Sequence, residues 1–259
     1  MNKQSLILAS AILGLGLLPA YPQFGPRGGA PAGPRFSGAM DKLFGDNQSF
    51  SATLTVETRE NAGGDPMTMP GKITFDSGKS RFEVDLAQAS NSKIRPEQAA
   101  QMKAMGMDRM AMIGRPDKKT SYLLYPGMQA YVENPLPDSE TTTSASDYKV
   151  ETTELGKETL AGHPCVKNKV VLTDKAGNQH ESTVWNATDL KNFPVKIKQT
   201  LQGKETTMTF TEVSLAKPAA SQFEPPADCT KFDSLPAMMQ AVMMKQMGGG
   251  GMGMPPMGH

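Results

Sequence analysis

The stretch LGKETLAGHPCVKNKVVLTDKAGNQHESTVWNATDLKNFPVKIKQTLQGKETTMTFTEVSL, from Leu155 to Leu215, decides the fold. Val166, Val170 and Leu172 alternate with Lys167, Lys169 and Thr173. After the polar turn Asp174–Asn178, Val184 and Trp185 stand among Ser182, Thr183 and Asn186. Beyond Asn192-Phe193-Pro194, Val195, Ile197 and Leu201 alternate with Lys196, Lys198 and Gln202. A turn at Gly203-Lys204 leads to Met208 and Phe210 between threonines. Period-two alternation between turn clusters predicts an antiparallel sheet with one buried and one wet face.

Upstream, the same pattern recurs. Phe50, Ala52, Leu54 and Val56 alternate with polar residues, and Lys72–Asp76 and Lys79–Leu86 read as a hairpin about Asp76-Ser77-Gly78, with Phe82, Val84 and Leu86 inward. Three more strands are expected at Met110–Ile113, Thr120–Tyr125 and Gln129–Val132, and a polar loop at 134–148. Two helices are expected: one opened by Pro96 and running to Met105, the other capped by Ser234 and running to Met247.

The 259 residues are 38% hydrophobic and 20% charged, a globular composition, and the net charge of +1 offers no broad attraction for nucleic acid. Lys3 followed by the apolar run Leu6–Leu18 and Pro19-Ala20 reads as a signal peptide over residues 1–20. The mature protein is expected in a periplasm, with no transmembrane segment. Residues 21–45 read as a Pro/Gly-rich linker, 46–232 as the β domain, 233–247 as a Met-rich helix and 248–259 as a Gly/Met tail. Cys165 and Cys229 are the two cysteines, expected as a disulfide in an oxidising compartment; two buried thiols or a redox pair are the alternatives.

Nine or ten strands with only two Met/Ala-rich helices to cover them leave three solutions. The sheet curls on itself, packs as two sheets, or leaves a cavity under a thin helical lid. The third would hold acyl chains or other greasy ligands.

The segment Gly156-Lys157-Glu158-Thr159-Leu160-Ala161-Gly162-His163-Pro164-Cys165 resembles the entry motif of a bacterial family of unknown function similar to the periplasmic lipoprotein carriers of the Lol type. Val184-Trp185-Asn186-Ala187-Thr188-Asp189-Leu190 with Phe193–Ile197, and Met112–Lys118 with Tyr122–Pro126, resemble further strand pairs of that family. The resemblance spans about residues 48–232 and implies a half-open β-barrel, mainly β, with one or two covering helices and an apolar groove. LolA-like carriers hold lipoprotein acyl chains in theirs, so a hydrophobic ligand or acyl chain is the partner it implies.

Candidate groove walls are Phe50, Leu54, Phe82, Val84, Leu124, Val170, Leu172, Val184, Ile197 and Phe210, each of which also reads as plain core. No nucleophile elbow, carboxylate pair or phosphate loop is present, so neither catalysis nor a cofactor is expected. Met238, Met239, Met243, Met244 and Met247, followed by Met252, Met254, Met257 and His259, offer soft ligands for cuprous ion. Helical spacing favours a pliable lid instead, and no metal site is assigned. The expected function is an exported, non-enzymatic protein binding or carrying a lipid-like ligand; the alternative is a structural or interaction protein of the envelope.

Overall fold

The computed structural model describes residues 38–59, 64–90, 92, 94–136, 147–201 and 203–248. The chain divides into units of residues 1–32 and 33–259, and all that follows lies in the second. The signal peptide, most of the linker and the tail lie outside the described residues.

Twelve strands form one sheet: β1 Ser49–Arg59, β2 Met67–Asp76, β3 Lys79–Asp85, β4 Arg109–Arg115, β5 Thr120–Tyr125, β6 Ala130–Pro135, β7 Lys149–Leu160, β8 His163–Thr173, β9 Gln179–Ala187, β10 Phe193–Leu201, β11 Lys204–Ser214 and β12 Thr230–Phe232. Their order is β12-β6-β5-β4-β3-β2-β1-β11-β10-β9-β8-β7. The sheet is thus two meanders, β1–β6 and β7–β11, joined where β1 pairs antiparallel with β11. Only β12 pairs in parallel, with β6. The sheet is curved and unclosed, as the half-open barrel expectation required.

Local chemistry sets the meander. Ser77 and Gly78, both at positive φ (50° and 83°), turn β2 into β3 with the twist a tight hairpin needs. The Asp174 carboxylate accepts from the backbone N–H of Ala176 and of Asn178 at 2.9 and 2.8 Å and folds the β8–β9 turn. The Ser234 hydroxyl accepts from the Ala237 N–H at 3.3 Å, capping a helix over Leu235–Gly248.

Register builds one apolar face. Val132, Leu123, Met112, Phe82, Ile73 and Ala52 stand in one row from β6 to β1. Met110, Val84, Gly71, Leu54 and Phe210 form the next from β4 to β11. A third carries Val56, Met208, Ile197 and Val184. Three helices lie among the described residues: α1 Gly38–Leu43, α2 Pro96–Ala104 and α3 Leu235–Gly248. α1 corrects the linker expectation. Met40, Leu43 and Phe44 recur at helical spacing, and all three are buried in the core, so residues 38–44 belong to the folded domain.

Part of the opposite face is covered too. Ala111, Ile113, Tyr122 and Leu124 pack with Phe223 in a separate cluster, under a strap over Ala220–Phe223. Leu124 is therefore corrected as a groove wall. Its neighbour Leu123 points to the main core, so Leu124, one residue on, points away.

Arg115 clamps the strap. Its Nε and Nη2 donate to both Asp117 oxygens at 2.8 Å, and Nη1 donates to the Phe223 carbonyl at 3.1 Å and to Glu224. Lys118 also pairs with Glu224 at 2.8 Å. The Arg115 hydrogen bonds hold the Asp117 carboxyl below its ordinary value, and Lys118 with Arg115 does so for Glu224. A lowered carboxylate pKa contributes stability that is complete above the unfolded value, about pH 4, and lost as pH falls through the folded one. Arg115→Met is expected to speed hydrogen exchange at the Gln222 and Glu224 amides, which now bond to Ala219 and Ser221. It should also reduce the acid sensitivity of that exchange, the Lys118–Glu224 pair being left, which hydrogen-exchange mass spectrometry across pH 3–6 would record.

Candidate functional site

Nine of the ten candidate residues, all except Leu124, are buried in the main core cluster. Phe50, Leu54 and Ile197 have no exposed surface. These residues span the sheet from β3 to β8 and form one apolar face.

At its centre the face is full. Among the described residues, Phe50 (β1), Phe75 (β2), Phe193 (β10) and Phe210 (β11) form a cradle of rings, with Phe50 and Phe193 4.9 Å apart edge to face and Phe193 and Phe210 5.7 Å apart at 90°. Phe44, just past α1, inserts among them: its ring centroid lies 4.7 Å from Phe50, 5.7 Å from Phe75 and Phe193, and 5.8 Å from Phe210. Tilted and edge-to-face contacts at these distances are the favourable arrangements of aromatic rings. The sequence reading missed Phe44 and Phe193: the first stood in an assigned linker, the second in a turn. The apolar spacing of Met40, Leu43 and Phe44 is the signal that finds the first.

A carboxyl beside the β2–β3 turn is buried on α1. The Asp41 Oδ1 is buried without a hydrogen-bond partner, and burial pushes the carboxyl up to about 7. Asp41 lies by the β2–β3 turn, its Oδ2 3.8 Å from where a Cβ on Gly78 would stand.

The other covers are thin. α2 buries no residue fully; Met102 and Met105 rest partly buried on the core. The crevice between α2 and the sheet, at Leu86, Ile94, Ala99 and Met102, has no room for water. α3 inserts Met238, fully buried, while Met244 is 66% exposed. Met238 is thus a core residue, and Met252, Met254, Met257 and His259 lie outside the described residues. Over β1, β10 and β11 the outer face is polar: Glu57, Arg59, Lys196, Lys198, Glu205 and Thr207 line a depression of about 220 Å³. There Lys167 and Lys196 each stand 5.1 Å from the Trp185 ring centroid, and the Trp185 indole donates to Glu158 at 2.6 Å. His163 pairs with Asp189 on the surface at 2.8 Å.

The Cys165–Cys229 disulfide is corrected. Both are free thiols, because β8, which carries Cys165, and β12, which follows Cys229, are separated by nine intervening strands. Burial raises both thiol pKa values. Alkylation of the protein unfolded without reductant is expected to add two groups per chain, counted by intact mass.

No curated protein matches this chain. Among solved structures, it is similar to a LolA superfamily protein from Nitrosomonas europaea (11% identity, 72% of this chain and 94% of that one, TM-score 0.35). It is similar likewise to the lipoprotein LppX of Mycobacterium tuberculosis (11% identity, 68% and 91%, TM-score 0.38). A third is LprF from Mycobacterium bovis (12% identity, 74% and 96%, TM-score 0.40). Residues 67–192, from the start of β2 to the turn before β10, match the family described as "Domain of unknown function (DUF4412)".

Proposed function

We propose that this is an exported, non-enzymatic protein that holds a lipid or acyl chain against the inner face of its sheet. One observation carries the reading. The face is apolar from Val132 on β6 to Val184 on β9, and among the described residues it is covered by short separate segments, not by a second sheet. A sheet packed on a sheet has a cover of its own width and cannot part locally, whereas α1, α2 and α3 can leave singly and expose apolar area. An exposed apolar surface of that size in water demands an apolar partner. Export and a periplasmic location rest on the leader reading of residues 1–20.

The test is native mass spectrometry of the mature protein, with organic extraction and uptake of a fluorescent acyl probe. A co-purifying lipid, or saturable probe uptake, is the expected result. An empty protein that takes up nothing would shift the conclusion to a structural or interaction protein of the envelope. The filled phenylalanine cradle is the observation that favours this second reading.

A further inference from the structure

We propose that α1 and Phe44 are an internal plug, which occupies the place of the ligand's acyl chain on the inner face and must withdraw for the ligand to bind. This rests on the carrier reading above and names how the site is regulated.

Geometry marks the segment as a plug. Of the five clustered rings among the described residues, four are fixed in strands of the sheet, while Phe44 arrives on the cover. Its ring is 1% exposed, so the cradle accepts a whole apolar group from outside the sheet. That is the demand a lipid tail would satisfy equally well.

The segment is built to leave. α1 has six residues, far below the length at which an isolated helix holds in water. Its exit is hinged at Gly45, whose φ of +58° and open surroundings place no side chain in the way. The anchor lies just past the hinge: the Asn47 Nδ2 donates to the Lys191 carbonyl at 3.2 Å, and the Gln48 carbonyl accepts from the Ser77 N–H at 2.7 Å, while the Asn47 Nδ2 and N–H bonds back to the Phe44 carbonyl, at 3.2 and 3.1 Å, are the ones withdrawal breaks. Withdrawal therefore swings residues 38–44 about a fixed point without unpairing a strand.

Asp41 sets the balance. Asp41 belongs to α1, and its Oδ1 is buried with no partner, an arrangement that tolerates the neutral acid and penalises the carboxylate. The charged groups of the neighbouring elements do not offset this. Asp76 and Lys79, flanking the β2–β3 turn, pair with each other at 2.8 Å; Lys42 lies on α1 itself, Asp46 lies past the hinge, and Lys191 offers its carbonyl to Asn47. Burial alone raises the carboxyl, to about 7 from 3.8. The sign follows: the seated plug binds a proton that the withdrawn one releases. Seating is thus strongest below pH 3.8, weakens as pH rises to about 7, and is constant above. Ligand uptake runs the opposite way, with a limiting slope of about tenfold per pH unit.

The experiment uses the full mature chain and a pyrene-labelled long-chain alcohol, which does not titrate. Three readouts are taken: affinity from pH 4 to 8, hydrogen exchange of residues 38–47 with and without probe, and both again in Asp41→Asn and Phe44→Ala. Expected are faster exchange at the Phe44 and Gly45 amides when probe is bound, affinity rising about tenfold or more between pH 5 and 7, and a flat, weaker profile in Asp41→Asn. Tighter binding by Phe44→Ala is expected as well. Because Phe44→Ala can fail to fold, the exchange measurement on the unaltered protein decides without it. Probe binding that leaves residues 38–47 as protected as before overturns the plug while the carrier reading stands. An unchanged pH profile in Asp41→Asn overturns the role of Asp41. Absence of binding in every variant and at every pH overturns the carrier reading and the plug together.

Discussion

Phe50→Ala is expected to destabilise the protein by about 3–5 kcal/mol, the largest effect of any single truncation in the cradle. Phe50 has no exposed surface and contacts Phe44, Phe75, Phe193 and Phe210, with centroids between 4.7 and 6.4 Å. It sits on β1, the strand that joins the two meanders, so the surrounding backbone is held from both sides and collapses little into the void. The residual cavity term is therefore expected to be near its full value. Thermal unfolding is the measurement, with a fall of about 10 °C or more for a domain of this size. A loss of only a few degrees would mean that the cover segments move in to fill the space, which would itself show how loosely they are held.

Gly71→Ala is the second large effect, and its cause is a collision. A Cβ at Gly71 would stand 2.3 Å from the Glu83 carbonyl oxygen and 2.7 Å from the Phe82 ring. The oxygen belongs to the neighbouring strand, where Gly71 pairs with Val84, so relief requires β2 and β3 to separate. A cost of about 3 kcal/mol is expected, at the upper end for overpacking. Gly114→Ala is the internal comparison. The added Cβ meets only the Ser80 Oγ, at 2.9 Å, and that hydroxyl can rotate away. Denaturant titration of the two variants should separate them by about 2 kcal/mol, and equal costs would refute the backbone argument.

Both predictions concern positions whose type was legible in the sequence and whose partners were not. Alternation marked Phe50, Phe82 and Phe210 as inward, and the structure buries all three. Leu124 stood with them among the candidate groove walls, and there the structure differs. A strand covered on both faces presents apolar residues in succession (Leu123, Leu124, Tyr125), and the two-residue period no longer says which face is which. α1 was hidden because the Pro/Gly-rich composition before it set the expectation for six residues that are helical for tertiary reasons.

The sequence by itself determined what is local. Strand positions other than β7 and β12, turn chemistry at Ser77-Gly78 and Asp174–Asn178, the two Met/Ala-rich helices and the mainly β class all follow from interactions within a few residues. Tertiary structure alone decided what depends on distant segments meeting. The β1–β11 pairing unites residues 51–59 with 205–214, and no periodicity encodes which strand edges adjoin. The same pairing sets β8 and β12 nine strands apart, which keeps Cys165 and Cys229 unjoined despite a compartment argument for a bond. It also brings Phe50, Phe75, Phe193 and Phe210 together as a cradle and leaves room there for one more ring. Burial is a property of the assembled sheet. Phe44 fills that room, and Asp41 on α1 loses its water, only once the sheet and its covers have assembled around them.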